Sequence, residues 1–509
     1  MFAKVRSLGL FGLNAFSVDV EIDTSKGTPQ FEIVGLGDLV VKESRERIRS
    51  AMKSAGLGFP LSKVIVNLAP ADTKKSGSVH DLAIFMALLC VGGIISDDIS
   101  GTAFIGELSL NGDVRPVNGV LPMVLLARRE GFESVFVPAD NAYEASVVDG
   151  IAVYGVENVN DIIKHFNRES VILPQSKYMI KPEERFDTVD FAEVKGQYAA
   201  KKALEYAAAG GHNVLMIGSP GSGKSMLAKR ITTILPEMTF DESIETTNVH
   251  SVSGLVDKTS PLVTKRPFRC PHHTVSAAGL AGGGNIPRPG EISLAHNGVL
   301  FLDELPEFNR PTLEILRQPL EERSVTISRA AGTVTYPCSF MLIAAMNPCP
   351  CGYYGHPARE CICGDKKRAA YISKISGPLL DRFDIHVEVP PVEFEHIVSA
   401  EKEESSAVIR ERVQTAREIQ NERFKGTGIP CNAAITPELL PEVCRMTDKA
   451  TETLKNVFEK MGLSARAYDR ILKVARTIAD MSGSEMIDKA HISQAVQFRS
   501  LDRKYWNGR

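Results

Sequence analysis

A glycine-rich segment that ends in a lysine and a serine carries the clearest chemical signal in this chain of 509 residues. It consists of Gly218, Ser219, Pro220, Gly221, Ser222, Gly223, Lys224 and Ser225. An apolar run precedes it and a helical pattern follows from Met226, so the order is strand, loop and helix. Such glycines let backbone N–H groups surround a phosphate, and we expect Lys224 to reach the β- and γ-phosphates and Ser225 to hold Mg²⁺. The segment predicts an ATP site with Mg²⁺, and a chance glycine turn is the alternative.

Two acidic residues, Asp303 and Glu304, follow a second apolar run at 298–302. A run this apolar indicates a central parallel strand, and ligands bind at the carboxyl ends of such strands. We expect Asp303 to support Mg²⁺ and Glu304 to polarise the attacking water as general base. A pair of capping acids is the alternative.

A third apolar run, 340–346, ends at Asn347. An asparagine at this strand end resembles the sensor-1 position of ring-forming AAA+ ATPases, which implies that its amide orients water against a γ-phosphate. An Asx turn into Pro348 explains the same residue, and the two interpretations are compatible.

Four cysteines form two C-x-C pairs around a short loop, namely Cys349, Cys351, Cys361 and Cys363. Four thiolates satisfy tetrahedral Zn²⁺, so this pattern predicts a structural zinc site, with His356 as a reserve ligand. Four free thiols are the alternative. The other five cysteines are scattered, which is typical of a reduced cytosolic protein and not of a disulfide scaffold.

The elements that position these residues fall into three predicted domains. Residues 1–165 mix short β-type runs with helices, and 166–185 form a polar linker. The nucleotide-binding domain is predicted at 186–395, and a sequence pattern typical of helices covers 396–509.

The bulk composition excludes some classes of protein. Apolar residues make up 43% and charged residues 24%, as in an ordinary globular protein. The net charge of −3 argues against a wholesale polyanion binder, so any nucleic-acid contact must use local basic patches. No apolar run approaches the roughly 20 residues of a membrane span, and no signal peptide is visible. We therefore expect a cytoplasmic protein without a membrane partner.

The nucleotide-binding region resembles ring-forming ATPases of the AAA+ class. Gly196 and Gln197 precede a helix in the manner of the adenine-pocket segment of that class, and a simple helix start is the alternative. Asn347 stands at the sensor-1 position of the class. Residues 379–384 resemble an element of the magnesium-chelatase and MCM-helicase branch. That resemblance implies that Arg382 is an arginine finger acting on the neighbouring subunit, and hence that the protein forms a ring. A surface ion pair is the alternative.

The predicted helical region after this core resembles an AAA+ lid. Arg466 matches its sensor-2 arginine, with Arg470 one turn on, and a solvated basic helix face is the alternative. Two insertions interrupt the core: a glycine-rich one over 266–291, and a hairpin over 324–336. In this branch such insertions point into the central pore, which makes Arg329 the candidate contact to a DNA phosphate. For the adjacent His272 and His273 we expect structural or pore roles.

The second half of the first domain resembles the proteolytic domain of Lon-type proteases, over 106–120 and 127–138. Those enzymes use a Ser–Lys dyad. The lysine position holds Leu121 here, and the serine position holds Val79, with Ser76 and Ser78 nearby. The resemblance implies a retained fold used as a scaffold or interaction surface, without proteolysis.

Over essentially its whole length the chain resembles the ComM (also YifB) family of magnesium-chelatase-like bacterial ATPases. The implied fold class is α/β, with an AAA+ P-loop core, an N-terminal α+β Lon-protease-like domain and a C-terminal helical lid. The resemblance also implies a homo-hexameric, ATP-driven motor on single-stranded and branched DNA, a branch-migration helicase that promotes DNA integration during natural transformation. The alternatives are the motor subunit of a metal-chelatase-like complex and an ATP-dependent Lon-like protease.

Overall fold

Two β-sheets form the framework of the chain in this computed structural model, which describes residues 1–95, 99–179, 189–330, 332–393, 403–501 and 505–506. A seven-stranded mixed sheet is built from the first 156 residues, and a five-stranded parallel sheet is built between residues 214 and 388. The α/β class with parallel strands is therefore confirmed, whereas the domain boundaries at 165, 185 and 395 stay predictions.

The seven-stranded sheet belongs to the first region. Its strands and the short ladder beside it are β1 Phe2–Phe11, β2 Asn14–Ser25, β3 Gln30–Val34, β4 Lys63–Ala69, β5 Thr102–Phe104, β6 Glu107–Leu108, β7 Val114–Arg115, β8 Ser134–Pro138 and β9 Ala152–Val156. The sheet order is β3-β4-β2-β1-β5-β8-β9, with β2 antiparallel to both of its neighbours. Because side chains alternate along a strand, Val18, Val20 and Ile22 of β2 all face the core and are fully buried.

Five helices cover this sheet: α1 Leu39–Ser54, α2 Asp81–Val91, α3 Val120–Arg129, α4 Ala139–Ala145 and α5 Val159–Phe166. Helix α2 is buried on nearly all sides, because its residues after Asp81 are apolar. Residues 167–179 contain no helix or strand. The predicted linker runs to residue 185, and its last part lies outside the described residues.

The parallel sheet carries the glycine-rich loop. The elements from here to residue 388 are a 3-10 turn Phe191–Glu193, α6 Tyr198–Gly210, β10 Val214–Ile217, α7 Lys224–Ile234, α8 Phe240–Val252, β11 Phe268–Arg269, α9 Ala277–Ala281, β12 Gly282–Gly283, β13 Arg288–Pro289, α10 Glu291–Leu294, β14 Val299–Leu302, a 3-10 turn Leu305–Glu307, α11 Arg310–Glu314, α12 Arg317–Glu322, β15 Ser324–Arg329, β16 Gly332–Pro337, β17 Met341–Met346, α13 Asp365–Ile372, α14 Gly377–Leu380 and β18 Ile385–Glu388. The order β11-β14-β17-β10-β18 is parallel throughout.

This strand order decides which loops meet. Strands β10, β14 and β17 lie side by side, and all four residues of β10 and β14 are buried. Since the strands are parallel, the residues that follow them emerge together at one edge, called here the carboxyl edge. The residues that precede the strands share the opposite, amino edge.

The C-terminal region is helical. It contains α15 Ser406–Arg423, a 3-10 turn Asn432–Ala434, α16 Leu440–Val443, α17 Asp448–Met461, α18 Ala465–Met481 and α19 Lys489–Gln497. Helices α15 and α18 pack on α6, so Val413 and Ile471 share one buried core with Leu204. Among the helices of the described ranges, none has both the length and the apolar character needed to cross a membrane.

Candidate nucleotide-binding site

The glycine-rich segment forms the loop between β10 and α7, as the sequence predicts. Gly221 and Gly223 have φ angles of 78° and 93°, a left-handed backbone that glycine adopts without steric cost. The N–H of Gly218 donates to the carbonyl of Met346 at 3.2 Å, which attaches the loop to the end of β17. The loop is thereby placed at the carboxyl edge beside the ends of β14 and β17.

Lys224 is buried, and its ammonium group lies inside the loop. Nζ donates to the carbonyls of Gly218 and Ser219 at 2.8 and 2.9 Å, and to Oδ1 of Asn347 at 3.3 Å. Burial lowers the pKa of Lys224, while the nearby Asp303 and Glu304 carboxylates oppose this shift. The lysine is thus held inside the loop that is predicted to bind phosphate, and the side chain of Asn347 lies next to it.

A hydroxyl and a carboxylate meet beside this lysine. Ser225 Oγ donates to Asp303 Oδ2 at 2.5 Å, although the two residues are far apart in the chain. Oxygen ligands of this kind suit Mg²⁺, which keeps several waters and takes one or two protein carboxylates with substrate phosphates. The donor set therefore fits the predicted magnesium site.

Glu304 follows Asp303 with an unusual backbone. Its φ is 52°, and its N–H donates to Asp303 Oδ1 at 2.9 Å. Its side chain is 56% exposed, so the carboxylate remains accessible to water at the loop. This accessibility is what a general base needs.

His273 is a site residue that the sequence interpretation missed. Its Nδ1 lies 3.6 Å from Oε2 of Glu304, and its ring packs near Phe308. We expected structural or pore roles for the adjacent histidines, but His273 lies beside the candidate base. No spacing rule links the two residues, because their contact depends on how the segment after β11 crosses the end of β14.

Gly196 and Gln197 lie beside the phosphate loop. The Gln197 side chain donates to the carbonyls of Ser222 and Pro390 at 3.1 and 2.6 Å. The N–H of Gly196 donates to Glu403 at 2.9 Å. Their predicted part in the adenine pocket stays a prediction.

Arg382 is not brought to this loop. The Asn213 side chain donates to the carbonyl of Arg382 at 2.9 Å, and Asn213 immediately precedes β10. Arg382 therefore lies at the amino edge, separated from Gly218 by the length of β10, roughly 13 Å at 3.3 Å per residue. Its guanidinium is mostly buried and pairs with Glu321, and its Nε has no hydrogen-bond partner among the described residues.

Arg466 and Arg470 lie at the same amino edge. Arg466 is 3.7 Å from Asp381, and Arg470 is 3.5 Å from Asp384. Burial of Asp384 opposes ionisation, but the hydrogen bond from His212 and the charge of Arg470 hold its pKa below the ordinary value. Within one chain, the predicted sensor-2 arginine is therefore grouped with Arg382 and not with Lys224.

These arginines line a cavity of about 480 Å³ at the amino edge. Seven cationic and four acidic side chains contribute to its wall. The cationic ones are Arg266, Arg323, Arg382, Arg417, Arg466, Arg470 and Lys473. The excess of positive charge suits an anionic ligand or surface.

The four clustered cysteines converge at the carboxyl edge. The three sulfurs of Cys349, Cys351 and Cys361 are 3.4 to 3.6 Å apart, and all four, with Cys363, lie within 4.8 Å of one another. Sulfurs bound to Zn²⁺ at 2.3 Å in a tetrahedron are about 3.8 Å apart, so the arrangement fits the ion.

His356 is not part of this cluster. Its Nδ1 accepts hydrogen bonds from the backbone of Ala358 and Arg359, and among the described residues only the four cysteines are grouped closely enough to share an ion there. The loop also touches the nucleotide site, because Gly352 packs directly against the ring of Pro220.

The predicted hairpin is formed by β15 and β16, which pair from Ser324 with Pro337 to Arg329 with Gly332. Arg329 is exposed near its tip and donates to the carbonyl of Ser328. The glycine-rich insertion packs beside it: a Cβ on Gly283 would lie 3.2 Å from the Arg329 guanidinium, and the Tyr336 hydroxyl donates to Pro287 at 2.8 Å. The two insertions therefore form one unit.

The Lon-type positions in the first region hold no dyad. Leu121 is fully buried in α3, where its N–H donates to Glu144 at 3.1 Å. Val79 packs against an apolar core, and the Ser78 hydroxyl is bonded to Glu107. No lysine stands at the position that would activate a serine.

Three family models match the chain. Residues 190–397 match "Magnesium chelatase, subunit ChlI", residues 20–141 match "Subunit ChlI of Mg-chelatase", and residues 403–499 match "Magnesium chelatase, subunit ChlI C-terminal". Together they cover the parallel sheet, most of the N-terminal sheet and the C-terminal helices.

Full-length relatives are found in several bacteria. The chain is 41% identical over 508 residues to the competence protein ComM of Haemophilus influenzae, which covers 98% of both chains. It is 39% identical over 508 residues to the protein YifB of Escherichia coli, covering 98% of this chain and 97% of that one. A partial match, 29% identical over 174 residues, joins 32% of this chain to 21% of the Lon protease of Clostridium beijerinckii.

Proposed function

This chain belongs to the ComM/YifB family of magnesium-chelatase-like AAA+ ATPases with a Lon-protease-like N-terminal domain, and from that membership we propose that it is an ATP-driven ring motor acting on DNA. One observation carries the proposal. The phosphate loop, with Lys224, and the candidate arginine finger, Arg382, lie at opposite edges of one sheet. One chain thus carries two halves of a site, and a second copy completes each half.

The residues at the carboxyl edge support ATP hydrolysis. The loop amides and Lys224 bind the triphosphate, and Ser225 and Asp303 would hold Mg²⁺, whose charge would help to neutralise the phosphates. Glu304 takes a proton from the attacking water, and the Asn347 amide orients that water. The neighbouring subunit's cationic amino edge stabilises the charge that develops on the transferred phosphoryl group.

A closed ring follows from this head-to-tail arrangement. An interface that joins two different surfaces generates either a ring or a filament, and a ring satisfies every site. We propose a homo-hexamer in the cytoplasm. Arg466 and Arg470 accompany Arg382 in the cationic cavity, so all three approach the nucleotide of the adjacent subunit.

The two insertions are proposed as the DNA-contacting part. Arg329 is exposed at the hairpin tip and lies over Gly283 of the glycine-rich insertion, so a single charged projection is available to a phosphate backbone. The relative named a competence protein favours a role in the uptake or integration of DNA. We propose single-stranded and branched DNA as the substrates and branch migration during transformation as the reaction.

Zinc is proposed for the thiol cluster. Bound by Cys349, Cys351, Cys361 and Cys363, it would have a structural role, because four protein ligands leave no open position. The Gly352–Pro220 contact, and the position of Cys349 two residues after Asn347, support a zinc site adjacent to the phosphate loop.

The deciding experiment is a steady-state ATPase assay with no DNA, single-stranded DNA, duplex DNA and a four-way junction. Stimulation by single-stranded and branched DNA, together with a DNA-dependent rise in oligomer mass, is the expected result. The DNA-motor proposal would be contradicted if no DNA changed the rate of ATP hydrolysis, either in the wild type or in the Arg329→Ala variant.

A second candidate, the motor subunit of a metal-chelatase-like complex, is favoured by the three chelatase family matches. It predicts ATP hydrolysis that depends on partner subunits instead of DNA. The protease candidate is weakened by Leu121, and ATP-dependent cleavage of casein would restore it.

A further inference from the structure

The ends of two β-hairpins from distant parts of the chain meet. One end is the turn Gly12–Leu13, between β1 and β2, where Phe11 pairs with Asn14. The other is the end of the β15–β16 hairpin at which Arg329 pairs with Gly332. Phe11 and Leu13 pack against the buried core of the nucleotide-binding region, so the N-terminal sheet reaches the candidate DNA hairpin directly.

Each hairpin places a glycine against a side chain of the other. Gly12 is buried, and a Cβ there would overlap Val334 of β16. A Cβ on Gly332 would lie 2.6 Å from Cζ of Phe11. Both glycines have positive φ, 65° and 139°, which other residues seldom adopt. We call these four residues, Phe11, Gly12, Gly332 and Val334, the turn contact.

The hairpin needs such a contact. A two-stranded hairpin has marginal stability alone and depends on packing against other elements. The inner face of this one is buried, with Val334 only 2% exposed, although its outer face is polar and open. Ile327 packs beside Gly282, and Val334 packs beside Gly12, so the glycine-rich insertion and the N-terminal turn both support the hairpin near Arg329.

A second contact holds the N-terminal sheet itself in place. The N–H of Gly119 donates to the carbonyl of Ser251 in α8 at 3.1 Å, and Lys258 pairs with Asp140 at 2.7 Å. Glu144 accepts hydrogen bonds from Leu121 and from the Ser251 hydroxyl, and burial raises its pKa. The N-terminal region therefore contacts the nucleotide-binding region through two different elements, helix α8 and the β15–β16 hairpin.

We propose that the N-terminal sheet positions the Arg329 hairpin, through the turn contact, for its interaction with DNA. This rests on the proposed DNA-motor function and assigns a role to a region that has lost the protease dyad. Phe11 is a positioning residue that acts through the hairpin and not on nucleotide. Its removal loosens the hairpin tip and leaves the phosphate loop as it is.

The experiment compares Phe11→Ala with Phe2→Ala, a matched control at the other end of the same strand, where Phe2 is 67% exposed. Hydrogen exchange of residues 324–337, measured without nucleotide or DNA, is the first readout. We expect faster exchange in Phe11→Ala and unchanged exchange in Phe2→Ala. The second readout is the ATPase rate with and without a DNA junction, for which we expect about tenfold weaker stimulation at equal basal rate, equivalent to about 1.4 kcal/mol.

Unchanged exchange over 324–337 in Phe11→Ala, with an intact basal rate, overturns the proposal. If no DNA stimulates the wild type, the proposed function fails instead, and the exchange comparison still decides whether the turn contact holds the hairpin. A double-mutant cycle guards against misfolding. Gly332→Ala collides with Phe11, so its effect on exchange must be smaller in the Phe11→Ala background, whereas equal effects in both backgrounds contradict the turn contact.

Discussion

Lys224 and Arg382 lie at opposite edges of the same five-stranded sheet, with strand β10 between them. Lys224 is held inside the phosphate loop by the carbonyls of Gly218 and Ser219. Arg382 is bound through its carbonyl to Asn213, at the other end of β10. A side chain cannot span that distance, so an arginine finger at this position must act on another copy of the chain.

This relationship predicts the outcome of mixing two inactive variants. We expect Arg382→Ala to lower kcat by about 10³-fold, since a missing finger removes charge stabilisation in the transition state. Mixed with Lys224→Ala, it should regain activity, because the latter still presents Arg382 to its neighbour. The measurement is steady-state ATP hydrolysis over a range of mixing ratios. The control variant, Arg310→Ala, removes an exposed arginine in place of Arg382. A mixture no more active than its parts would contradict a shared site.

Binding and hydrolysis should separate at the carboxyl edge. Glu304→Gln removes the proton acceptor and keeps the shape, so we expect hydrolysis to fall by roughly 10²- to 10⁴-fold while ATP binding remains. Lys224→Ala removes a buried contact to the triphosphate and should abolish binding as well. Fluorescent nucleotide titration beside the hydrolysis assay distinguishes them. Normal turnover in either variant would show that the site is assigned to the wrong residues.

His273 should affect the base and not the nucleotide. The Nδ1 of His273 lies 3.6 Å from the Glu304 carboxylate. We therefore expect His273→Ala to lower kcat by about tenfold, which is less than the full contribution of a general base, and to leave ATP affinity unchanged. The matched control is His272→Ala, whose ring stacks on His273 but has no contact with Glu304 among the described residues. Partial recovery in His273→Asn is expected. Equal losses in both alanine variants would point to a purely structural role for the pair.

Metal analysis tests the thiol cluster. We expect one Zn²⁺ per chain, lost in Cys351→Ser, and a lower melting temperature after chelation, since a structural zinc contributes directly to folding. Cys270→Ser, at an exposed cysteine outside the cluster, is the control. Because Gly352 packs on Pro220, weaker ATP binding should accompany zinc loss. A metal-free protein with full ATP affinity would argue for four free thiols.

The N-terminal region should lose stability on mild acidification. His80 is buried, and its burial, with the nearby charge of Lys75, lowers its pKa from 6.5 to about 3. Between about pH 6.5 and pH 3, His80 is therefore protonated in the unfolded chain but neutral in the folded chain. The free energy of unfolding falls as the pH falls through this window, because the unfolded chain binds more protons.

At pH 5 the expected loss is about 2 kcal/mol relative to neutral pH. Denaturant titrations followed by circular dichroism at the two pH values measure it. His80→Asn keeps a polar group near Ser7 but cannot titrate, and we expect a flatter pH dependence. The same slope in wild type and variant would assign the effect to other groups.

Local chemistry was determined by the sequence alone. The glycine-rich loop lies between β10 and α7, Asp303 and Glu304 end β14, and Arg329 stands near the tip of the hairpin, because each of these depends on residues adjacent in the chain. The four clustered cysteines were also predictable from the sequence, since two C-x-C pairs on one short loop can come together independently of the rest of the fold.

Contacts between distant residues were decided only by the tertiary structure. The Ser225–Asp303 and Lys224–Asn347 pairs require β10, β14 and β17 to be neighbours, and strand order is not written in any local pattern. The same holds for His273 beside Glu304 and for Gly12 against Val334, where packing across the chain brings the residues together. Residue types therefore predict what chemistry is possible, while the order of the strands decides which of these residues share a site within one chain.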